Sequence, residues 1–282
     1  MFELKLENVD GQIVNIDDGV KYVVSDVSGL NPPSASLFTS KSPNRKGVKY
    51  NGSTLDERTV IIAIKLLGDI EVNRNALYDW IDTEQYVKIR YRNDVKNVYC
   101  EGHVYECEFT PFTDSEVITV AITCEDPYWK DLTDIVVDIS NIIKQFTFPF
   151  AISEPIPFST YKDSNTTSIF NSGNETGLRI IIKCLEDVTN LEIYDPNDIT
   201  KKFRLNTTLE KGWVVEIDTD SSPKTVKAYK ADGSVENLLK YTGGSVTWFT
   251  LKKGNNVFGY SADRGASDIE MTINFVTKYL GV

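Results

Sequence analysis

The chain has 282 residues, enough for two domains of ordinary size. Its 41% hydrophobic and 25% charged residues are typical of globular proteins, and no apolar run reaches the roughly 20 residues that span a bilayer. The formal net charge of −11 argues against a nucleic-acid-binding surface, which needs clustered Lys and Arg. Because the first residues lack the apolar core of a signal peptide, we expect synthesis in the cytosol.

The acidity is concentrated in the first half of the chain. Residues 1–140 contain 14 Lys and Arg against 24 Asp and Glu, whereas residues 141–282 contain 16 against 17. One short basic run, from Lys41 through Arg45 and Lys46 to Lys49, is the exception. A solvated loop is the default interpretation of such a run.

The first predicted elements are strands. Alternation over residues 2–6 and the Asp10-Gly11 pair predict a β-hairpin, and residues 22–27 continue as strand. Residues 28–53 are rich in Gly, Pro, Ser and Asn, which predicts a long loop or a loosely held hairpin. Loops of this length inside a compact domain are usually functional or disordered.

One helix is predicted after the strand at residues 59–67. Leu77, Trp80 and Ile81 have helical spacing, Asn73 or Asn75 is the expected cap, and the helix should end near residue 83. Strand patterns follow at residues 86–91, 98–109 and 117–124.

The first domain is predicted to close near residue 140. The strand that ends at Cys124 is followed by Glu-Asp126-Pro127-Tyr128-Trp129. Proline cannot donate to a strand ladder, and two large aromatic residues come directly after it. The composition changes after this point, so we place a domain boundary between residues 140 and 141.

Residues 141–282 predict a β-sandwich. Short strand patterns, including 178–184, 213–217, 248–251 and 269–279, alternate with turn signals such as Asp232-Gly, and no helical period lies between them. The predicted fold class is therefore mainly β, with a helix-bearing first domain and a sandwich second domain.

Residues that could carry chemistry are sparse. The single histidine, His103, has no nucleophile or metal motif around it, and the four cysteines form no C-x-x-C pair. We therefore predict no enzyme, no cofactor and no metal site. Trp213, Tyr241 and Trp248 could stack on sugar rings, although core packing is the default interpretation.

Taken in order, four segments resemble the distal tail protein (Dit) family of long-tailed phages. They are Ser28-Gly-Leu-Asn-Pro32-Pro33, then Glu57-Arg-Thr-Val-Ile-Ile-Ala-Ile with the helix after it, then the segment through Asp126-Pro127-Tyr128-Trp129, and finally Leu251-Lys-Lys-Gly254-Asn255-Asn256 with the end of the chain. Their order and spacing extend over nearly the whole sequence.

The resemblance implies a structural role at the tip of a phage tail. It implies a hexameric ring built from a β-barrel-like first domain, with a galectin-like sandwich on the outside. The 28–53 segment would be an arm that embraces a neighbouring copy, with Pro32, Pro33, Lys41, Arg45 and Lys46 as candidate contacts.

The same resemblance implies partners and a location. The ring would join the tail tube protein to a tail-associated baseplate, fibre or lysin protein, with the tape measure protein as a further candidate. Assembly in the cytoplasm of a bacterial host and a place at the virion tail tip follow. DNA would only pass through, and an acidic lumen would keep it from sticking.

Two alternatives stay open. A carbohydrate-binding module that attaches to the host cell surface is the second interpretation, and a hydrolase is a distant third. The host, the type of tailed particle and the face that carries the acidity are all undetermined by the sequence.

Overall fold

The computed structural model describes residues 2–43, 46–110, 116–139, 142–144, 159–161, 166–243 and 246–282. The chain divides into two compact units. The first contains Met1–Leu132 together with Lys278–Val282, and the second contains Thr133–Thr277. The first unit therefore includes five residues that the sequence-based boundary assigned to the second domain.

The described elements are nearly all strands. The strands before the helix are β1 (Glu3–Asn8), β2 (Ile13–Asn15), β3 (Tyr22–Ser28), β4 (Ala35–Ser40), β5 (Lys49–Leu55) and β6 (Arg58–Leu66). The helix is α1 (Ile70–Trp80), and it precedes β7 (Tyr86–Arg92), β8 (Asn97–Thr110), β9 (Val117–Cys124) and β10 (Trp129–Asp131).

The strands of the second unit are shorter. They are β11 (Ile135–Asp138), β12 (Ile142–Lys144), β13 (Ser159–Tyr161), β14 (Thr166–Asn171), β15 (Arg179–Cys184), β16 (Val188–Thr189), β17 (Glu192–Asp195), β18 (Asp198–Arg204), β19 (Thr208–Leu209), β20 (Val214–Asp218), β21 (Thr225–Tyr229), β22 (Val235–Asn237), β23 (Gly254–Ser261) and β24 (Ile269–Phe275). A single 3₁₀ turn covers Leu239–Tyr241, and β25 (Lys278–Tyr279) returns to the first unit.

The first unit is built on one antiparallel sheet. Its order is β2-β1-β7-β8-β9-β6-β3, and β10 pairs with both β8 and β25. Alternate residues of β6, including Val60, Ile62 and Ile64, are fully buried, as a half-buried strand requires. Among the described residues the sheet is open, with β2 and β3 at its edges, so the expected barrel-like form is not a closed barrel.

The helix is present, but its predicted start is wrong. It begins at Ile70, and the N-cap is Asp69, whose carboxylate accepts a hydrogen bond from the Val72 amide. Asn73 is buried inside the helix, where its side-chain amide donates to the Leu67 carbonyl. That bond closes the turn before the helix. Asn73, a residue type common at helix N-caps, therefore lies one turn after the observed cap, Asp69. No helix among the described residues is long and apolar enough to cross a membrane.

Strands β4 and β5 form a two-stranded sheet of their own. The pairing runs from Ala35–Leu55 at the base to Ser40–Lys49, with an irregularity after Phe38. We call this hairpin, Ala35–Leu55, the arm. Of the two forms predicted for residues 28–53, a long loop or a loosely held hairpin, the structure has a hairpin.

The second unit is a β-sandwich, as predicted. A sheet of order β11-β24-β15-β20-β21-β22 and another of order β14-β23-β17-β18 share one hydrophobic core. Ile180, Ile217 and Ile273 enter the core from the first sheet, while Ile193 and Phe258 enter it from the second. The strand expected over residues 248–251 is wrong, because only Leu251 makes a bridge there, to Thr176.

Candidate assembly site

The arm exposes apolar side chains along its length. Every residue of β4 and nearly every residue of β5 is exposed. Its large apolar residues stay between 39% and 64% accessible, and they are Leu37, Phe38, Val48, Tyr50 and Leu55. A two-stranded hairpin is marginally stable in water by itself, and a contiguous exposed apolar surface marks a contact site.

The base of the arm is fixed by short polar contacts. The Asp56 carboxylate accepts hydrogen bonds from the hydroxyls of Ser34 at 2.9 Å and Ser36 at 2.7 Å. These bonds lower the pKa of Asp56. The Asp56 amide also donates to the Ser34 carbonyl. The two strands of the arm therefore leave the sheet from a defined point.

Arg58 lies beneath this base and is only 2% exposed. Its guanidinium donates to four backbone carbonyls: those of Gly29, Asn31 at 2.7 Å, Pro127 at 2.8 Å and Leu280 at 2.6 Å. Its Cζ atom lies 5.5 Å from the centroid of the Trp129 ring. Burial lowers the pKa of Arg58, although an arginine remains charged at neutral pH. One side chain thus connects three distant segments.

The segment Lys278–Val282 completes this connection. Its strand β25 pairs Tyr279 with Trp129, and the Val282 amide donates to the Leu30 carbonyl at 3.1 Å. The Lys96 ammonium donates to the Gly281 carbonyl at 2.7 Å and lies 4.1 Å from the Tyr279 ring centroid. We call Arg58, its four carbonyl partners and Trp129 the arm root.

The Asp126-Pro127-Tyr128-Trp129 motif forms the wall of the arm root. The Asp126 carboxylate lies 3.1 Å from the Lys130 ammonium and 3.6 Å from that of Lys278. Burial alone would raise the pKa of Asp126, but the two ammonium groups and hydrogen bonds hold it below its usual value. Trp129 is fully buried, and its indole N–H has no acceptor among the described residues, so packing and the Arg58 guanidinium fix this ring.

A cleft of about 560 Å³ lies at the base of the arm. It is lined by both sides of the base, including Pro32, Pro33, Asp56 and Glu57, and Arg58 forms part of its wall. Pro32 is exposed and Pro33 half-buried, while Lys41 and Lys46 are exposed on the loop of the arm. Arg45 lies outside the described residues.

Sequence reasoning missed Arg58 as the organising residue. The signal was available: Arg58 shares the inward phase of Val60, Ile62 and Ile64 in β6. A cation at an inward position of an apolar strand must find polar partners when it is buried. Sequence could not show that those partners are carbonyls from Gly29 and Leu280, which lie 29 and 222 residues away.

The three aromatic residues suggested for sugar binding lie in different places. Trp213 is buried, with the Lys230 ammonium 4.6 Å from its ring centroid. The Tyr241 hydroxyl faces Glu236 at 3.4 Å. Trp248 lines a cleft whose described lining includes neither Trp213 nor Tyr241, so the three do not share that site.

The remaining candidates have local structural partners. His103 is exposed on β8 and lies 2.7 Å from a Glu125 oxygen. Among the described residues, no three His, Cys, Asp or Glu side chains are placed to hold a metal ion. The Asn256 amide bonds to the backbone of Lys252 and Gly254, and Gly254 has a positive φ of 98°. The Gly254-Asn255-Asn256 motif therefore shapes a turn before β23.

Comparison with solved structures identifies the architecture. The crystal structure of the Dit protein of phage SPP1, described as a paradigm of the hub adsorption apparatus in phages that infect Gram-positive bacteria, superposes with a TM-score of 0.69. The two sequences are 14% identical, and the match covers 99% of each chain. The chain has a Dit-like fold.

A second structure agrees with this assignment. A chain of the phage P2 baseplate, in its activated conformation with calcium, matches with a TM-score of 0.52, 14% identity and full coverage of both chains. No protein-family model matches the sequence, and neither does any curated protein. The Dit-like fold is thus recognisable from the structure over the whole length, and the two neighbours are described as a hub protein of a phage adsorption apparatus and as part of a phage baseplate.

Proposed function

We propose that this Dit-like chain is a structural hub of a phage or phage-derived tail tip, and that it performs no reaction. Six copies would form a ring that joins the tail tube protein to a baseplate, fibre or lysin protein, next to the tape measure protein. The full-length likeness to the SPP1 hub protein and to a P2 baseplate chain supports this role. The site of assembly would be the host cytoplasm.

The charge of the arm is the observation that carries the proposal. Residues 28–53 contain four Lys and Arg and no Asp or Glu, whereas the other residues of 1–140 contain 10 against 24. A basic, apolar arm on an acidic body is complementary to a second copy of the same chain. Such a contact joins two different surfaces, and repeated contacts of this kind close into a ring when the rotation permits.

Covering the arm would also remove its exposed apolar groups from water. Leu37, Phe38 and Tyr50 are each more than half exposed in the single chain. Burial is favourable by about 25 cal/mol for each Å² of apolar surface. The arm root favours binding of the arm to a neighbouring copy, because it fixes the direction in which the arm leaves the body.

Native mass spectrometry of the purified chain tests the ring. We expect one closed species, with six copies, at micromolar concentration. Combining Leu37→Asp with Phe38→Asp should give monomers, because successive strand residues point to opposite faces and the pair places a charge on each face of β4, including the one that a neighbour covers. Val95→Asp is the matched control, since Val95 is 89% exposed in a turn outside the arm. A wild-type chain that stays monomeric would contradict the proposal.

The place of the ring in a particle needs a separate measurement. Gold-labelled antibodies against this chain should mark the tail tip in electron micrographs of the particles. Labelling along the tail tube or on the capsid would rule out the hub role, whatever the oligomeric state.

A further inference from the structure

The second unit contains a cleft whose lining differs in charge from the rest of the chain. It has a volume of about 390 Å³ and lies beside the turn before β23. Its ionisable lining consists of Lys201, Lys252 and Lys253 against Asp195. Because the Lys201 ammonium lies 4.0 Å from the Asp195 carboxylate, the net positive charge of the lining comes from Lys252 and Lys253, on a chain of net charge −11.

Of the three aromatic residues in the lining, Phe249 and Phe258 are buried, and Trp248 is the one with an accessible ring. It is half-buried, and its ring packs edge-on against Phe203 with 5.4 Å between the ring centroids. The Lys224 ammonium lies 5.7 Å from the Trp248 ring centroid. Because these contacts hold the ring in place before any ligand arrives, little side-chain entropy is lost on binding.

The turn at Lys252–Asn256 positions the charged groups. The Asn256 side chain accepts from the Lys252 amide at 2.9 Å and donates to the Lys252 carbonyl at 2.7 Å. Lys252 and Lys253 are therefore held at the rim of the cleft, where both are exposed. Among the described residues, no carboxylate forms an ion pair with either of them. Lys201, by contrast, is paired with Asp198 at 3.0 Å.

Side-chain amides complete the set of groups. Asn197 and Asn255 line the same cleft and are exposed. Each carboxamide offers a donor and an acceptor, which is the pairing that a sugar hydroxyl needs. An indole ring, two amides and two lysines that form no ion pair with any described residue thus surround one opening.

We propose that this cleft binds an anionic saccharide. A sugar ring would pack against Trp248, its hydroxyls would bond to Asn197 and Asn255, and its phosphate or carboxylate would face Lys252 and Lys253. The anionic group distinguishes this site from a neutral sugar site, because a neutral ligand would leave both ammonium groups without a partner. The inference does not depend on the hub role, since it concerns the second unit alone.

A glycan array that contains uronate- and phosphate-bearing glycans with their neutral counterparts tests the proposal. We expect the full chain to bind acidic glycans and not the neutral ones, and titration calorimetry with the best acidic glycan then gives the affinity. Inorganic phosphate serves as the probe for binding of the anion alone. Absence of binding to every acidic glycan, or equal binding of inorganic phosphate, would overturn the proposal.

Two variants place the ligand in the cleft. Trp248→Ala should weaken binding on the order of tenfold, as the loss of one well-placed aromatic contact does. Combined Lys252→Gln and Lys253→Gln should weaken it and reduce its dependence on salt, and both residues are exposed, so folding should be unaffected.

Matched controls separate the cleft from general effects. Trp213→Phe alters an aromatic residue of the same unit that lies outside the cleft, and combined Lys183→Gln and Lys227→Gln removes two exposed charges elsewhere. Both should bind as the wild type does. Equal losses in the cleft variants and the controls would show non-specific attraction and overturn the proposal.

Discussion

At the scale of single residues, Arg58 combines an inward position in β6 with four carbonyl partners, and no carboxylate of the described residues is among its hydrogen-bond acceptors. The charge is stabilised by backbone dipoles and by the adjacent Trp129 ring. Removing the side chain therefore leaves several buried acceptors without donors, and each costs about 1–3 kcal/mol.

We predict that Arg58→Met lowers the free energy of unfolding of the first unit by about 3–5 kcal/mol. Arg58→Lys should recover only part of this, because one ammonium cannot reach carbonyls that a planar guanidinium spans. Urea unfolding followed by tryptophan fluorescence gives both values, since Trp129 contacts the guanidinium. Equal stability of Arg58→Lys and the wild type would show that only charge matters here.

Asp126 gives the arm root a defined dependence on pH. The folded state holds the pKa of Asp126 below its usual value, so the stabilisation is complete above about pH 4 and is lost as the pH falls through the folded value. Burial would lower the pKa of Lys130, but Asp126 raises it above its usual value. The stabilisation that Lys130 contributes is therefore lost only as the pH rises above about 10.5.

Thermal unfolding between pH 3 and pH 9 tests this prediction. Asp126→Asn should lower stability at pH 7 by about 1 kcal/mol, since solvent screens a carboxylate that is 36% exposed. The difference from the wild type should shrink towards pH 3. Asp10→Asn, in the exposed turn after β1, is the control for the loss of a surface carboxylate and should leave the stability at pH 7 nearly unchanged.

At the scale of elements, the arm root depends on a close approach between two strands. Gly29 has a positive φ of 87°, and a Cβ atom there would lie 2.2 Å from the Thr59 carbonyl oxygen. Gly11 has a similar φ of 77° but open space around it. Comparing substitutions at Gly29 and Gly11 therefore separates the free-energy cost of the positive φ from the free-energy cost of the close contact with Thr59.

We predict that Gly29→Ala destabilises the first unit by more than about 2 kcal/mol, whereas Gly11→Ala costs only about 1 kcal/mol. Hydrogen exchange should show faster exchange at residues 29–34 in the Gly29 variant, because β6 must move to admit the methyl group. Similar losses for the two variants would mean that the contact with Thr59 is not restrictive.

The sequence predicted elements well where the information was local. Strands β7, β8 and β9 appear within a residue or two of the predicted ranges, because alternation with turn residues is a local signal. The helix start was wrong because Asn73 bonds to the preceding turn, and β25 could not be paired with β10 from periodicity alone. The geometry of the arm root depends on contacts between segments that are distant in the sequence, so local sequence patterns could not predict it.

At the scale of the whole molecule, the uneven distribution of charge predicts how association between copies depends on salt. The body of residues 1–140 is acidic and its arm is basic, so assembly through the arm should be electrostatically favoured. Salt screens such attraction, because the Debye length falls from about 10 Å at 0.1 M to about 3 Å at 1 M ionic strength.

We therefore predict that association weakens as salt is raised from 0.1 to 1 M, so that the oligomer already dissociates at a higher protein concentration, as measured by sedimentation velocity. Combining Lys41→Gln, Lys46→Gln and Lys49→Gln should weaken association at 0.1 M salt and remove most of the salt dependence. The control replaces Lys183, Lys211 and Lys227 of the second unit with Gln, which changes the net charge of the chain by the same amount. This control should have little effect on association. Association that strengthens with salt would instead show that apolar contacts of Leu37 and Phe38 act alone, since screening then removes only repulsion between acidic bodies.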